Sequence, residues 1–171
     1  MECMKEWIPI PGTSRDIIIK AAMEEFCRKG YKDASITELA AKAEMTTGAI
    51  YHHFGSKANL YEIIRADLEQ RIIDRMEGAA SLFGKPEEAI MVALMTGMDF
   101  AAKQNICRLM GEDPPYKKND RIEEFLAGLH GDAGLPIEIV LLPAWRSILL
   151  KIAEGRLEAD GGKNLIKWML A

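Results

Sequence analysis

The chain has 171 residues, 49% of them hydrophobic and 28% charged, and its 22 Lys and Arg against 26 Asp and Glu give a formal charge of −4. The apolar content excludes a disordered chain, and the length suits one medium domain or two small ones. The acidic balance excludes a protein that coats nucleic acid by bulk charge, so any such contact must come from a local patch.

The first predicted element starts at Thr13-Ser14-Arg15-Asp16, which has the S/T-x-x-D/E form of a helix start. Ile18, Ala21, Ala22 and Phe26 then share one face until Gly30 supplies a stop, giving a helix over Ser14 to Lys29. Ser35-Ile36-Thr37-Glu38 reads as a capping box opening a second helix, with Leu39, Ala40 and Ala43 as a narrow apolar side. A three-residue turn, Glu44-Met45-Thr46, leads to a third helix over Thr47 to Phe54. Gly55 breaks the pattern, and Ser56 caps a long helix from Lys57 to about Glu77.

Beyond Gly78 and Gly84-Lys85-Pro86, helices are expected over Pro86 to Gln104, Asn105 to Met110, Asp120 to Leu129, Pro136 to Glu154 and Gly162 to Leu170. Asp113-Pro114-Pro115 and Gly131 to Gly134 read as loops. No alternating β-branched run calls for a strand, so the expected fold is all-α, with no internal repeat.

Two short helices joined by a tight turn form a helix-turn-helix arrangement, which spacing alone supports only weakly, since helical corners in bundles look alike. The residues themselves add to it. Along the third helix Met45, Ala49, Ile50 and Phe54 can turn inward, which leaves Thr46, Thr47, Gly48, Tyr51, His52 and His53 outward. Threonine offers a hydroxyl and a methyl to base edges, glycine allows close backbone approach, and Tyr and His can reach phosphate oxygens. Lys57 follows at a helix N-terminus, where free N–H groups also favour an anion.

The run from Gly30 through Thr37-Glu38-Leu39-Ala40 and on through Thr47-Gly48-Ala49-Ile50-Tyr51-His52-His53-Phe54-Gly55-Ser56-Lys57 to Leu60 resembles the DNA-binding domain of TetR-like (TetR/AcrR) transcriptional repressors. The resemblance covers roughly Ser14 to Ile64. It implies an N-terminal three-helix DNA-binding domain over 13–60, a connecting helix over 57–77, and a C-terminal helical effector-binding and dimerisation domain over 78–171. It also implies a recognition helix whose Thr47, Ala49 and His52 lie nearest the bases, while Tyr51, His53 and Lys57 hold phosphates and Ser35 and Thr37 add backbone contacts. Glu44 stands where family members usually carry glycine, and Ala34 where they carry threonine.

The function this implies is a repressor that binds a pseudo-palindromic duplex operator as a homodimer and is released by a small-molecule effector. The alternative is a non-enzymatic helical interaction module without sequence-specific DNA binding. No nucleophile, cofactor motif or metal-ligand spacing suggests an enzyme: His52 and His53 point about 100° apart on a helix, and neither has a carboxylate or nucleophile at helical spacing. No catalytic residue, metal or cofactor is therefore expected.

For the effector, Met95, Met98, Phe100, Tyr116, Phe125 and Trp145 are adaptable apolar pocket candidates with Arg108 as a polar anchor, and Asn105, His130 and Arg146 are further anchors. Each apolar one could equally be core. For dimerisation, Ile137, Leu141, Ala144, Ile148 and Ile152 form one stripe that Val140, Leu142 and Leu149 widen, and Leu165 to Leu170 adds apolar groups near the chain end.

Cys3, Cys27 and Cys107 are widely spaced, with no C-x-x-C pair, and read as reduced thiols. The opening residues lack an apolar run of signal-peptide type, and the richest stretch, Leu135 to Ala153, is broken by Pro136, Glu138, Pro143 and Arg146, so the expectation is a cytoplasmic protein without membrane contact. Residues 28–57 carry five Lys and Arg against three Asp and Glu, which leaves the acidic surplus to the rest of the chain.

Overall fold

The computed structural model describes residues 10–115, 120–130 and 135–171. Every regular element among them is helical, as expected: α1 (Ser14–Asp33), α2 (Ile36–Lys42), α3 (Thr47–Phe54), α4 (Lys57–Ala80), α5 (Pro86–Lys103), α6 (Cys107–Gly111), α7 (Arg121–His130), α8 (Glu138–Ala153) and α9 (Ala159–Met169). The chain forms two compact units, one ending at Ile64 and the next beginning at Arg65, so the division falls inside α4.

In the first unit α1 opens as its sequence predicts. The Thr13 hydroxyl accepts from the Asp16 N–H at 3.3 Å, and the Asp16 carboxylate accepts from the Gly12 N–H at 2.9 Å. Ile18, Ala22 and Phe26 are sealed from solvent together with Leu39, Ile50, Leu60 and Tyr61. Phe26 meets the Tyr61 ring edge-on at 5.0 Å, and Tyr31 meets it from another side. Gly30 leaves helical geometry at φ 82° and ψ 174°, so the expected stop is real, although one more turn follows to Asp33. Left-handed φ at this point suits glycine, which has no Cβ to clash.

The capping box expected at Ser35 is not formed. Ser35 occupies the N-cap in an extended conformation, but its hydroxyl makes no capping bond, and Glu38 turns away to pair with Lys29. The pairing ties α2 to α1, and a tertiary ion pair has displaced the local reciprocal bond. At its other end α2 closes in a Schellman motif: Met45 N–H returns to Ala40 O at 2.9 Å and Glu44 N–H to Ala41 O at 3.1 Å. That motif requires a left-handed residue, and Glu44 supplies it at φ 54°.

The second unit packs α5 against α7, α8 and α9, and α6 against α8. Trp145 is almost fully buried, and its Nε1–H donates to Leu94 O at 2.9 Å, which locks α8 onto α5. Gly162 lets α9 settle closely: a Cβ there would lie 2.7 Å from Met98 Sδ and 2.9 Å from Ile148 Cγ2.

Several boundaries differ from the sequence reading. Helix α4 runs through Gly78 to Ala80, since a single glycine weakens a helix without ending it. Helix α6 begins at Cys107 because Asn105 adopts φ 56° and closes α5. Helix α8 begins at Glu138 and keeps Pro143 inside it. Helix α9 begins at Ala159 and passes through Gly161 and Gly162. The loop expected at Gly131 to Gly134 lies outside the described residues. No helix among the described residues is long and apolar enough to cross a membrane.

Candidate functional site

Helix α3 is short and two-faced. Ile50 and Phe54 are buried, Met45 and Ala49 are half-buried, and Thr46, Thr47, Gly48, Tyr51, His52 and His53 are exposed. The Thr46 hydroxyl accepts from the Ala49 N–H at 3.1 Å, so it caps the helix as well as facing outward. At the far end Gly55, at φ 74°, returns its N–H to Tyr51 O at 2.8 Å. The outer face is therefore a compact strip of hydroxyl, imidazole and phenol groups on a helix fixed by two aliphatic and aromatic anchors. Thr37 is exposed on α2, while Ser35 is half-buried.

His52 and His53 stand with ring centroids 5.5 Å apart and planes crossed. Among the described residues no group of three or more His, Cys, Asp or Glu is placed to hold a metal ion. Ser56 caps α4 as predicted, its Oγ accepting from the Asn59 N–H at 3.0 Å. Lys57, in the first turn of α4, leans back over the Tyr31 ring at 4.7 Å and reaches Lys32 O at 3.3 Å. Burial against that ring holds its pKa below the ordinary lysine value, and the Asp33 carboxylate pulls the other way.

The local positive surplus is smaller than counting residues 28–57 suggests. Arg28 and Lys29 both pair with the buried carboxylate of Glu25, at 2.9 and 3.2 Å, and Lys42 pairs with Glu24 at 2.6 Å. Both acids belong to α1 and lie outside that count. The strip on α3 is thus nearly neutral and presents hydrogen-bonding groups rather than a basic field.

In the second unit the expected pocket residues do not converge. Met98 and Trp145 are core residues, and Met95, Phe100, Arg108 and Phe125 are half-buried, with the Arg75 guanidinium 3.9 Å over the Phe100 ring. Tyr116 lies outside the described residues. None of the described six lines the cleft of roughly 360 Å³ between α6, α7 and α8, or a second of roughly 300 Å³ beside the α4–α5 junction. Arg146, one of the further anchors, does line the first.

Residues 18–64 match the family model for bacterial regulatory proteins of the tetR family. The first unit thus carries a tetR-family segment. The first 64 residues contain the whole matched segment, which ends at the same residue as the first compact unit. The HTH-type transcriptional regulator SrpR of Pseudomonas putida is 40% identical over 53 residues, 31% of this chain and 25% of SrpR. The HTH-type transcriptional repressor KstR2 of Mycolicibacterium smegmatis is 25% identical over 110 residues, 64% of this chain and 54% of KstR2. The chain thus spans between a quarter and about half of these relatives' length. The crystal structure of a TetR-like transcriptional regulator from Rhodococcus sp. RHA1 superposes with a TM-score of 0.70 at 21% identity, over 95% of this chain and 96% of that one, which is a likeness of fold.

Two features of this TetR-family domain escaped the sequence reading. The Arg15 guanidinium lies 5.2 Å over the Phe54 ring, so the start of α1 holds the end of α3. Glu25 is buried between Arg28 and Lys29, and Lys29 also holds Glu38, so this charged cluster ties α1 to α2 alongside the Lys42–Glu24 pair. Sequence spacing could have flagged the i, i+3 and i, i+4 partners of Glu25. Nothing local predicts that residues 39 apart in sequence, Arg15 and Phe54, would stack.

Proposed function

We propose that this chain is a TetR-family transcriptional repressor that binds a pseudo-palindromic DNA operator as a homodimer and is released by a small-molecule effector bound in its second unit. The outer strip of α3 carries the reading: Thr47, Gly48, Tyr51, His52 and His53 face solvent together, while Ile50 and Phe54 are buried beneath them. Thr47, Ala49 and His52 read base edges, and Tyr51 and His53 hold phosphates, with Thr46 at the helix start. Thr37 and Ser35 add backbone contacts, and Lys57 joins them by swinging off the Tyr31 ring.

A nearly neutral strip makes a single reader weak, because phosphate neutralisation supplies most non-specific affinity. Two readers on one duplex compensate by joining two half-sites. Support for a second copy comes from Val140 on α8 and from Leu165 and Trp168 on α9, all exposed, with Trp168 at 79%. Covering side chains of this size stabilises by about 1.5 to 3 kcal/mol each. The test is selection from random duplex DNA by the purified full chain, followed by band shifts at several salt concentrations. The expected result is an enriched palindrome with half-sites about one helical turn apart and affinity that falls steeply with salt. Thr47→Ala should change base preference, and Tyr51→Phe should weaken all sequences alike. Absence of an enriched sequence would refute the reading and return the interaction-module alternative.

A further inference from the structure

We propose that the cleft between α6, α7 and α8 binds a small organic cation, and that this cation is the effector; the second half of the proposal rests on the repressor reading above. The cleft's roughly 360 Å³ is within the range of small-ligand sites. One side is apolar, built by Ile139, Leu142, Pro143 and Leu150 of α8.

The charges around it favour a positive guest. Asp113, Glu123 and Glu138 line the cleft, against Arg146 as the single cationic lining residue among those described. The charge of Arg146 is already matched: it is 92% buried, forms an ion pair with Asp120, and has Asp113 at 3.5 Å. The side chains of Glu123 and Glu138 make no hydrogen bond or ion pair among the described residues. Two carboxylates with no ion pair among the described residues, beside an apolar wall, attract an ammonium with an apolar body and repel a carboxylate of the same size.

The position also gives occupancy a route to α4. Gly111 and Asp113 form one wall, and Arg65 of α4 donates to the carbonyls on either side of Gly111, Leu109 O at 2.8 Å and Glu112 O at 2.6 Å. A guest that shifts the end of α6 therefore acts directly on two bonds that hold α4.

The test uses the full chain with benzyltrimethylammonium and phenylacetate as probes of matched size and opposite charge, measured by titration calorimetry. The ammonium should bind once per chain, the Glu123→Gln/Glu138→Gln variant should bind it at least tenfold more weakly, and the Glu123→Lys/Glu138→Lys variant should prefer phenylacetate. The cation site is overturned if the ammonium does not bind, if the glutamine variant binds it unchanged, or if the native chain binds phenylacetate as tightly. The same samples are assayed on duplex DNA taken from random selection. An ammonium that binds and releases the chain from a selected duplex supports the whole proposal. Duplex selection without ammonium binding overturns the cleft inference and leaves the repressor reading standing. Cleft-dependent ammonium binding without any selected duplex overturns the repressor reading and the effector role, and leaves the cation site standing.

Discussion

Arg65 sits at the start of the second unit with 3% of its surface exposed. Its Nε donates to Glu69 at 2.8 Å, and its Nη1 donates to Leu109 O and Glu112 O at the end of α6. Replacing it with methionine keeps the aliphatic bulk but strands a carboxylate that is itself nearly buried, and removing one partner of a buried pair costs about 3 to 5 kcal/mol. Near 171 residues each kcal/mol moves the melting temperature by about 3 °C, so Arg65→Met should lower it by roughly 10 to 15 °C. The paired variant Arg65→Met/Glu69→Met removes both charges together and takes the Arg65 donor from the α6 carbonyls, a deficit of about 1 to 3 kcal/mol. Urea unfolding followed by tryptophan fluorescence should therefore rank native above the paired variant and the paired variant above the single one. A single variant within about 1 kcal/mol of native, or a paired variant no better than the single one, would refute the assignment of Arg65 as a buried clamp between α4 and α6.

Burial pushes the Glu25 carboxyl up, but hydrogen bonds from Arg28 and Lys29 outweigh it and hold the group below its ordinary value. Its contribution is present above the ordinary carboxylate pKa and disappears as pH falls through the depressed one, so Glu25→Gln should flatten the acid side of a stability profile measured by urea midpoints from pH 7 to pH 3. Burial pushes the Cys107 thiol up to about 11. At pH 8 its thiolate is then scarcer than that of an ordinary cysteine by on the order of 100-fold, so peptide mapping after brief alkylation of the native chain should find Cys27 modified well before Cys107. Glu44 occupies a left-handed position that costs a non-glycine residue about 1 kcal/mol, so Glu44→Gly should be neutral or raise the urea midpoint, whereas Glu44→Val should lower it.

What the sequence made legible is what short-range physics decides. Thr13 and Ser56 cap the helices they were expected to cap, Gly30 and Gly55 take the left-handed angles where the helices were expected to break, and the spacing of Met45, Ala49, Ile50 and Phe54 predicted which side of α3 faces out, whereas the cap that Thr46 supplies to α3 was not anticipated. The Ser35 box failed because Lys29, a residue of the preceding helix, competes for Glu38, and a local pattern cannot register that competitor. The same limit governs the second unit at larger scale. A residue's chemistry marks Met98 and Trp145 as adaptable apolar groups, but the turn of α8 places Trp145 with Leu141, Leu142 and Leu149 in the core, and Gly162 of α9 closes over Met98 and Ile148. The neighbouring side of α8, with Ile139, Pro143 and Leu150, becomes a cleft only because Gly111 and Glu123 arrive from two other helices. The broad apolar stripe that argued for a partner is likewise covered largely by the chain's own packing, since Leu141, Leu142, Ile148 and Leu149 are buried without one. A second copy would therefore have Val140, Leu165 and Trp168 to cover rather than the full stripe, and Trp168 carries the largest exposed area of the three. Trp168→Ala should accordingly weaken self-association measured by analytical ultracentrifugation while leaving the unfolding free energy from urea titration within about 0.5 kcal/mol of native, because the side chain contributes little to its own fold. A variant that unfolds easily but associates as before would place Trp168 in the core's support and remove it from the interface.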